Sequence, residues 1–377
     1  MRNHSDLPAF RPGLDEHPDN SFLREVFADF FDIECEGDPR GTVLRHACDI
    51  GRQISGVAFP DRFEPFWTQS EGWGTVGKQL EALAAHPQDT AAFRERCQRL
   101  LRGNVQLDPE DLEPTLRLQY DLQAGLLSSL HLLNEDDDGR FVTAIDGKRY
   151  PLPAFDEILS LMQTPEMQTK LRQGFDTLLL VPFGLPLDRL LDAWRHRLRR
   201  NAAALRRVGA FSEQEPLWVW EEYRTESLVY EPRSLTAGHR GRTKAQLLAS
   251  DQRGWDVLLV EGTLQNLPRA GQGQLVGDRR QIECNRTPTQ YLADLRTRGE
   301  VGLTPEAYIL QFLDALERQG HVLDVETYTY LPGAFLPSSR RVPCAFWGPG
   351  RGRALLRGGD PESHDAPFGV RAAVGVG

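Results

Sequence analysis

VPCAFWGPGRGRALLRGGDPESHDAPFGVRAAV, residues 342–374, is the most informative segment of this chain. It begins and ends with short apolar segments typical of buried strands, and between them lies an irregular run of Gly, Pro, Arg, His and Asp. A disordered tail seldom finishes on an apolar strand, and an active site seldom consists of so many small, chemically unlike residues. We therefore interpret the segment as an irregular surface held on a rigid frame, which favours recognition over catalysis.

The region from about residue 171 onward has the pattern of an α+β domain. Four apolar runs predict short strands: 177–184 (TLLLVPFG), 217–223 (LWVWEEY), 255–262 (WDVLLVEG) and 369–376 (GVRAAVGV). Residues 185–208 predict an amphipathic helix whose apolar face contains Leu187, Leu190, Leu191 and Trp194. A second helix is predicted at 304–319, with Thr304 as its N-cap and Pro305 as its first residue.

Residues 1–170 are predicted to form a mainly helical N-terminal domain of unknown role. Apolar residues recur at helical spacing in five segments: 22–33, 80–85, 93–101, 116–133 and 155–171. Two Asp-Gly pairs, at 138–139 and 146–147, predict a small β-ribbon at about 139–151, because Asp-Gly is a preferred hairpin turn. The change of pattern places the domain boundary near residue 170, with the second domain at 171–377.

The composition argues against several classes of function. At 377 residues, 40% hydrophobic and 26% charged, the chain fits about two soluble globular domains. A net charge of -10 argues against a general nucleic-acid binder, because phosphate contact requires a positive surface. No apolar run is long enough to cross a bilayer, and the start MRNHSDLPAF lacks a secretory pattern. We expect no membrane insertion and a protein that is cytoplasmic as synthesised.

Neither a metal site nor a cofactor is predicted. The five cysteines are scattered without a CxxC pair, and the nine histidines show no HxxxH or HExxH spacing. Residues 134–139, NEDDDG, resemble the start of a calcium loop, but Ile145 stands where a bidentate Glu is required. Cys344 as a nucleophile would need a nearby base, for which His364 is the closest candidate in sequence. A packed or displayed thiol is the favoured interpretation, and no catalytic residue is predicted.

The basic residues are almost all arginines. Among the 44 Lys and Arg residues, the lysines are Lys78, Lys148, Lys170 and Lys244. A GC-rich genome produces this bias by codon supply, and Arg-for-Lys exchange also occurs in some thermophile families. We predict a heat-stable protein, which a melting midpoint in the ordinary mesophile range would contradict. The arginines of the helix predicted at 185–208 are interpreted as a solvated face, because no aromatic residues interleave with them for nucleic-acid binding.

The order of several segments is similar to that of a known family. The chain contains, in sequence, TLLLVPFGLPLDRLLDAW, LWVWEEY, GRTKAQLL with GWDVLLVEG, RRQIECNRTPTQYL, GLTPEAYILQFLDAL, GAFLPSSRRVPCAFW and GVRAAV. Together these segments resemble the variable proteins of diversity-generating retroelements, over about residues 174–377. The resemblance implies a C-type-lectin fold of the formylglycine-generating-enzyme subtype, with two helices around a small mixed or antiparallel sheet and much irregular loop. It also implies a phage or prophage origin.

The resemblance further implies how the sequence would vary. In that family a reverse transcriptase copies a template repeat into the 3' end of the gene and misreads adenines, so that AAC codons scatter over many residues. The variable region would be about 342–377. Its variable, solvent-facing and ligand-binding positions would be Cys344, Phe346, Gly348, Pro349, Gly350, Leu355, Gly358, His364, Ala366 and Phe368. Its framework positions would be Trp347, Ala354, Gly369, Val370 and Arg371.

Physical considerations agree with these roles. Direct pairing of the 177–184 and 369–376 strands would close the domain by joining its ends. Arg371 would then bond backbone carbonyls or a carboxylate beneath the site. Phe346 and Phe368 would supply apolar anchors, and His364 with Asp365 would supply polar contacts, for an unknown protein or surface ligand. We favour a monomer, with an N-terminal domain that docks the display domain onto a phage or cell component.

Two alternatives stay open at this point. One is a formylglycine-generating-type oxidoreductase, although neither Cys284 nor Cys344 matches that family's catalytic motif. Related sulfoxide synthases use an iron site with HxxxHxE spacing, which this sequence lacks. The other alternative is a helical protein with a disordered Gly/Arg-rich tail, against which the apolar end GVRAAVGV argues.

Overall fold

The computed structural model describes residues 106–319 and 321–376. These residues belong to a compact unit, Val105–Gly377. The helices predicted at 22–33, 80–85 and 93–101 lie outside the described residues, as do Cys35, Cys48 and Cys97.

The helices of the described region are short, apart from the first. They are α1 (Leu112–Ser129), α2 (Phe155–Met162), α3 (Pro165–Arg172), α4 (Leu187–Arg200), α5 (Ala202–Leu205), α6 (Glu222–Thr225), α7 (Lys244–Asp251), α8 (Pro288–Thr297) and α9 (Pro305–Asp314). A π-helical turn, Ala315–Gln319, continues α9. Among the described residues, no helix is both long and apolar enough to cross a membrane.

The strands of the described region form five small sheets. They are β1 (Asn134–Asp136), β2 (Gly139–Thr143), β3 (Arg149–Pro151), β4 (Thr177–Val181), β5 (Leu217–Val219), β6 (Val229–Tyr230), β7 (Arg242–Thr243), β8 (Asp256–Val260), β9 (Leu275–Val276), β10 (Arg279–Arg280), β11 (Val301–Gly302), β12 (Tyr328–Tyr330), β13 (Ala334–Phe335), β14 (Val342–Gly348), β15 (Arg353–Gly359), β16 (Phe368–Val370) and β17 (Ala372–Gly375). All pairings are antiparallel except β12 with β16 and β5 with β15. The prediction of an α+β fold is confirmed for this region.

A three-stranded antiparallel ribbon, β1-β2-β3, lies where the Asp-Gly pairs predicted a hairpin. Gly139 and Gly147 have φ angles of 112° and 77°, a left-handed conformation that glycine adopts at little cost. The acidic first turn is bonded locally, because Asp136 accepts hydrogen bonds from the Asp138 amide and from Arg149. This is the acidic turn that the sequence favoured over a calcium loop.

The four-stranded sheet brings the 177–184 and 369–376 segments together through an intermediate strand. Its order is β11-β17-β8-β4, and every pair is antiparallel. Since β4 and β17 each pair with β8, the expected direct pairing of the two segments is wrong. The intermediate strand, DVLLV, is largely buried and needs a hydrogen-bonded neighbour at both edges.

The outer edge of β4 is covered by side-chain amides of α1. Leu178 N donates to Gln119 Oε1 at 2.5 Å, and Gln119 Nε2 donates to Asp176 O at 2.9 Å. One helical turn further on, Gln123 Oε1 accepts more weakly from Leu180 N at 3.5 Å. Because β4 is buried throughout, these side chains take the place that water or a further strand would otherwise fill.

Helix α1 is thus part of the same compact unit as the strands, which differs from the boundary placed near residue 170. Gln123 Nε2 also donates to Asp314 Oδ1 of α9 at 2.5 Å, and Leu116 and Leu127 are fully buried. The change of pattern near residue 170 marks a passage from helix-rich to strand-rich segments within one unit. The two kinds of segment are joined directly, because side chains of α1 bond the backbone at the edge of β4.

Helix α9 is the central helix, and all of its residues are buried. As predicted, Thr304 is its N-cap, accepting from Ala307 N at 3.2 Å, and Pro305 is its first residue. The helix predicted at 185–208 is α4 followed by the short α5. Trp194 of α4 packs edge-on against Tyr308 and Phe312 of α9, with ring centroids 6.2 and 5.2 Å apart.

Candidate ligand-binding face

The C-terminal segment folds into the centre of a five-stranded sheet of order β16-β12-β14-β15-β5. The β14–β15 hairpin pairs from Val342 with Gly359 to Gly348 with Arg353. On either side, β12 pairs antiparallel with β14, and β5 pairs parallel with β15. The segment that the sequence singled out as a rigid frame with an irregular surface is therefore held between strands on both sides.

One face of this sheet packs into the core. Successive side chains of a strand point to opposite faces. Along β14 and β15, Ala345, Trp347, Ala354 and Leu356 are each fully buried. Thr329 of β12, paired with Ala345, is fully buried on the same side.

The other face carries a row of aromatic side chains. By the register of the strands this face, which we call the aromatic face, includes Trp218, Tyr328, Tyr330, Cys344, Phe346, Leu355, Arg357 and Phe368. The Tyr328 ring lies 4.0 Å from the Phe346 ring and 4.7 Å from the Phe368 ring, measured between centroids. Tyr328 and Phe368 are half-buried and Arg357 is exposed, so the face is partly accessible to a partner.

Four of the predicted solvent-facing positions are buried, and for them the expectation of exposure is wrong. Cys344 is 3% exposed, Phe346 6% and Leu355 0%, and Gly348 is also buried. They lie on the correct face, but neighbouring rings and the chain around α6 cover them. Tyr223 of that helix, for example, donates its hydroxyl to Arg357 O at 2.9 Å.

Six other predicted positions retain contact with solvent. Gly350, His364 and Ala366 are exposed, and Pro349, Gly358 and Phe368 are half-buried. His364 Nδ1 lies 3.3 Å from Asn285 Oδ1, which places the imidazole at the rim of the loop before β16. Next to it, Asp365 is exposed as well, so the polar contacts expected of this pair are sterically possible.

The turn between β14 and β15 is shaped by glycine. Gly352 has a φ angle of 64°, and a Cβ on it would lie 2.6 Å from the Ala210 backbone. Its amide donates to Gly348 O at 2.8 Å. Gly350, by contrast, has open space where a side chain would extend. The turn therefore contains one position that excludes side chains and one that accepts them.

The predicted framework residues lie in the interior. Trp347 and Ala354 are fully buried, and Val370 is 2% exposed. A Cβ on Gly369 would lie 2.9 Å from Cys284 Sγ and from a methyl carbon of Leu267. A larger residue at this position would clash with Cys284 and Leu267.

Arg371 makes both kinds of bond expected of it. Its Nη1 and Nη2 donate to Leu264 O and Gln265 O at 2.7 and 3.0 Å, and its Nη2 also donates to Asp324 Oδ1 at 2.7 Å. Asp324 in turn accepts from three hydroxyl groups, those of Tyr308, Thr327 and Thr329. The carboxylate and guanidinium thus connect β12, β16 and α9 beneath the aromatic face.

Sequence reasoning missed Asp324 and two residues of the aromatic face, Tyr328 and Tyr330. No local pattern distinguishes Asp324 from other loop acids, because its partners come from α9, β12 and the chain end. The segment Tyr328–Tyr330, YTY, did carry a signal. Its period of two places both tyrosines on one face and Thr329 on the other.

The two cysteines of the described region have little nucleophilic character. Burial raises the pKa of the Cys344 thiol to about 12, and Arg357 opposes this only in part. The pKa of Cys284 is also raised to about 12, first by burial and then by the charge of Asp324. Since the thiolate is the reactive form, neither residue is suited to nucleophilic attack near neutral pH. Among the described residues, no group of three or more His, Cys, Asp or Glu side chains is placed to hold a metal ion.

Comparison with known proteins gives no relative from which a function could be transferred. No protein-family model matches the chain, and no curated protein or solved structure is significantly similar to it.

Proposed function

We propose that this chain is a ligand-binding display protein whose C-terminal surface is diversified by adenine-directed mutagenesis on a C-type-lectin-like frame. The observation that carries the proposal is the alternation along β14 and β15. The framework positions Trp347 and Ala354 point into the core, while Phe346 and Leu355 lie on the aromatic face. The accessible positions that follow the hairpin, His364, Ala366 and Phe368, could vary without altering the buried side chains that hold it.

The accessible side chains are of the types that dominate recognition. Aromatic residues and arginine account for most of the strong contacts in protein interfaces. Tyr328 and Phe368 supply the rings, Arg357 supplies a cation, and His364 stands at the rim. These groups support a protein or another surface ligand as the partner, with Cys344 and Leu355 serving as the packed layer beneath.

Several features support a lectin-like frame. Two helices, α4 and α9, pack against each other beside small sheets, and β4 and β17 belong to one sheet. The buried Arg371–Asp324 pair fixes the end of the chain to the loop before β12. The raised pKa values of Cys284 and Cys344 weigh against the oxidoreductase alternative, because that chemistry requires a reactive thiol.

The decisive experiment is deep sequencing of the 3' end of the gene and its flanking DNA from a growing population. We expect a nearby near-copy repeat with mismatches confined to template adenines. Codons for His364, Ala366 and Phe368 should vary, whereas those for Trp347 and Arg371 should not. The codons for β4 provide an internal control, since they encode buried residues outside the variable region. An invariant 3' end without a repeat nearby would overturn the proposal.

A further inference from the structure

A groove of about 620 Å³ lies beside the four-stranded sheet, and no residue of the aromatic face lines it. Its walls are α8, the edge strand β11, the ends of β8 and β17, and the loops around residues 231–232 and 332–333. This volume is within the range of about 300–1,000 Å³ that small-molecule sites occupy. The groove is thus large enough for a ligand of its own, separate from any partner of the aromatic face.

One wall of the groove is apolar and accessible. Leu292 and Leu295 line it from α8, and Val301 lines it from β11. Val301 is 46% exposed and Leu292 is half-buried, whereas Leu295 is only 1% exposed. Hydrocarbon placed against this wall would remove apolar surface from water.

The carboxylates in the groove are already compensated by arginines of the protein. Glu231 accepts from Arg242 at 2.9 Å and also from Arg253, which in addition donates to Asp256. Glu300 accepts from the buried Arg279 at 2.6 Å. These carboxylates therefore do not offer a free site for a cationic ligand.

Two arginines, Arg253 and Arg296, line the groove. Arg253 is paired with carboxylates, so Arg296 is the one that could bind an anionic ligand. It is exposed, and it lines the same groove as Leu292 and Val301. Its Nη1 and Nη2 donate to Arg233 O and Pro232 O at 2.5 and 2.7 Å. Within the described part of the chain it forms no ion pair, unlike its neighbour Arg298, which pairs with Asp294.

The two carbonyl bonds hold the guanidinium in place without neutralising it. They use two of its five N–H donors, and the other three can bond a ligand. An arginine with a fixed fork is suited to two parallel hydrogen bonds to a carboxylate. A multiply charged phosphate fits less well, because a single guanidinium would balance only one of its charges.

We propose that this groove is a binding site for a small apolar monocarboxylate, with the carboxylate on Arg296 and the hydrocarbon body against Leu292 and Val301. A single negative charge matches the single uncompensated cation. The apolar body matches the adjoining wall. The site is independent of the proposed display function, since the two surfaces share no residues.

The test is titration calorimetry of the full-length chain with hexanoate, octanoate and 1-octanol. We expect octanoate to bind more tightly than hexanoate by about fourfold per added methylene, the gain from burying a CH₂ group. 1-Octanol, which has the same hydrocarbon length without the charge, should bind at least about tenfold more weakly than octanoate.

Two variants and one control locate the site. Arg296→Gln should weaken octanoate binding roughly 10- to 100-fold, as expected for loss of a charge-assisted pair. Val301→Glu should also weaken it, because a second negative charge would then face the carboxylate across an exposed position. Arg351→Gln removes an exposed arginine from the β14–β15 turn and should leave the affinity unchanged.

The proposal is overturned if octanoate does not bind, if 1-octanol binds equally well, or if Arg296→Gln and Arg351→Gln have the same affinity. Circular dichroism of each variant checks that its fold is intact. Should Arg296→Gln loosen the loop at 232–233, Val301→Glu keeps the test valid, because that side chain makes no bond to the loop. Unchanged octanoate binding by Val301→Glu would then overturn the assignment.

Discussion

Arg371 Nη2 lies 2.7 Å from Asp324 Oδ1, and both side chains are almost completely buried. Asp324 has a φ angle of 54°, a conformation that few residues other than glycine adopt readily. Its amide donates to Gln265 O at 2.9 Å, and its carbonyl accepts from Trp347 N at 3.1 Å. The pair therefore joins the last strand, the loop at 264–265 and β14 through groups that water does not reach.

Removing the charge of Asp324 should strongly destabilise the domain. In Asp324→Asn the guanidinium of Arg371 stays buried without a counter-charge, a loss that costs about 3–5 kcal/mol in other proteins. Asparagine tolerates the left-handed backbone, so the effect reports on charge and bonding. Urea unfolding followed by tryptophan fluorescence measures the change.

Asp360→Asn is the matched control for this substitution. Asp360 pairs with Arg341 at 3.1 Å, but both side chains are well exposed, at 52% and 40%. Such a pair contributes less than about 1 kcal/mol. Equal losses in the two variants would mean that the buried pair has no special role in stability.

The hydrogen bonds between the Gln119 side chain and the edge of β4 give a second prediction. Gln119→Met keeps the volume but leaves the Leu178 amide and Asp176 O without these hydrogen bonds, at a cost of about 1–3 kcal/mol. Hydrogen exchange at the Leu178 amide should become faster. Gln163→Met, at an exposed position after α2, should change neither stability nor exchange at Leu178. Slow exchange at Leu178 in Gln119→Met would show that the edge is protected in another way.

Burial separates the candidate variable positions into two groups with different mutational tolerance. His364→Ala, at an exposed position, should alter the free energy of unfolding by less than about 0.5 kcal/mol. Leu355→Ala, at a fully buried position of the aromatic face, should cost about 2–5 kcal/mol. Thermal unfolding of the two variants is sufficient to compare them. A large loss in His364→Ala would place this histidine in the packed structure and remove it from the binding surface.

Local patterns predicted local structure well and long-range relationships poorly. The cap of α9 at Thr304 and the Asp-Gly turns depend on residues within a few positions of each other, so the sequence displays them. The burial of Leu355 depends on Trp218, far away in the chain, and on the register of a parallel pair. The insertion of β8 between β4 and β17 likewise follows from competition among apolar strands, which no single segment reveals. Arg371 was singled out through the resemblance of GVRAAV to a known family, whereas Asp324 lies in a loop and carries no local signal.

Asp176, at the start of β4, should make stability depend on pH. Burial raises the pKa of its carboxyl to about 6, and hydrogen bonds from the Gly262 amide and the Thr177 hydroxyl offset only part of this effect. An aspartate in an unfolded chain has a pKa of about 3.9. Because the folded state binds the proton more tightly, the stabilisation is present below about pH 3.9 and is lost as the pH rises to about 6. Asp176→Asn cannot ionise and should lack this loss, so its stability relative to the unmodified protein should increase between about pH 4 and pH 6.

Asp146 is the control, because its pKa is shifted in the opposite direction. The Lys148 amide and the Tyr150 hydroxyl bond its carboxylate and lower the pKa, so its contribution is present above about pH 3.9 and is lost as the pH falls further. Asp146→Asn should therefore be less stable than the unmodified protein near pH 7, and the difference should shrink in acid. Urea unfolding of both variants at pH 2, 3, 4, 5, 6 and 7 compares the two trends. If Asp176→Asn showed no gain between pH 4 and pH 6, its carboxyl would be hydrated in the folded protein, and the junction between β4 and Gly262 would be open to water.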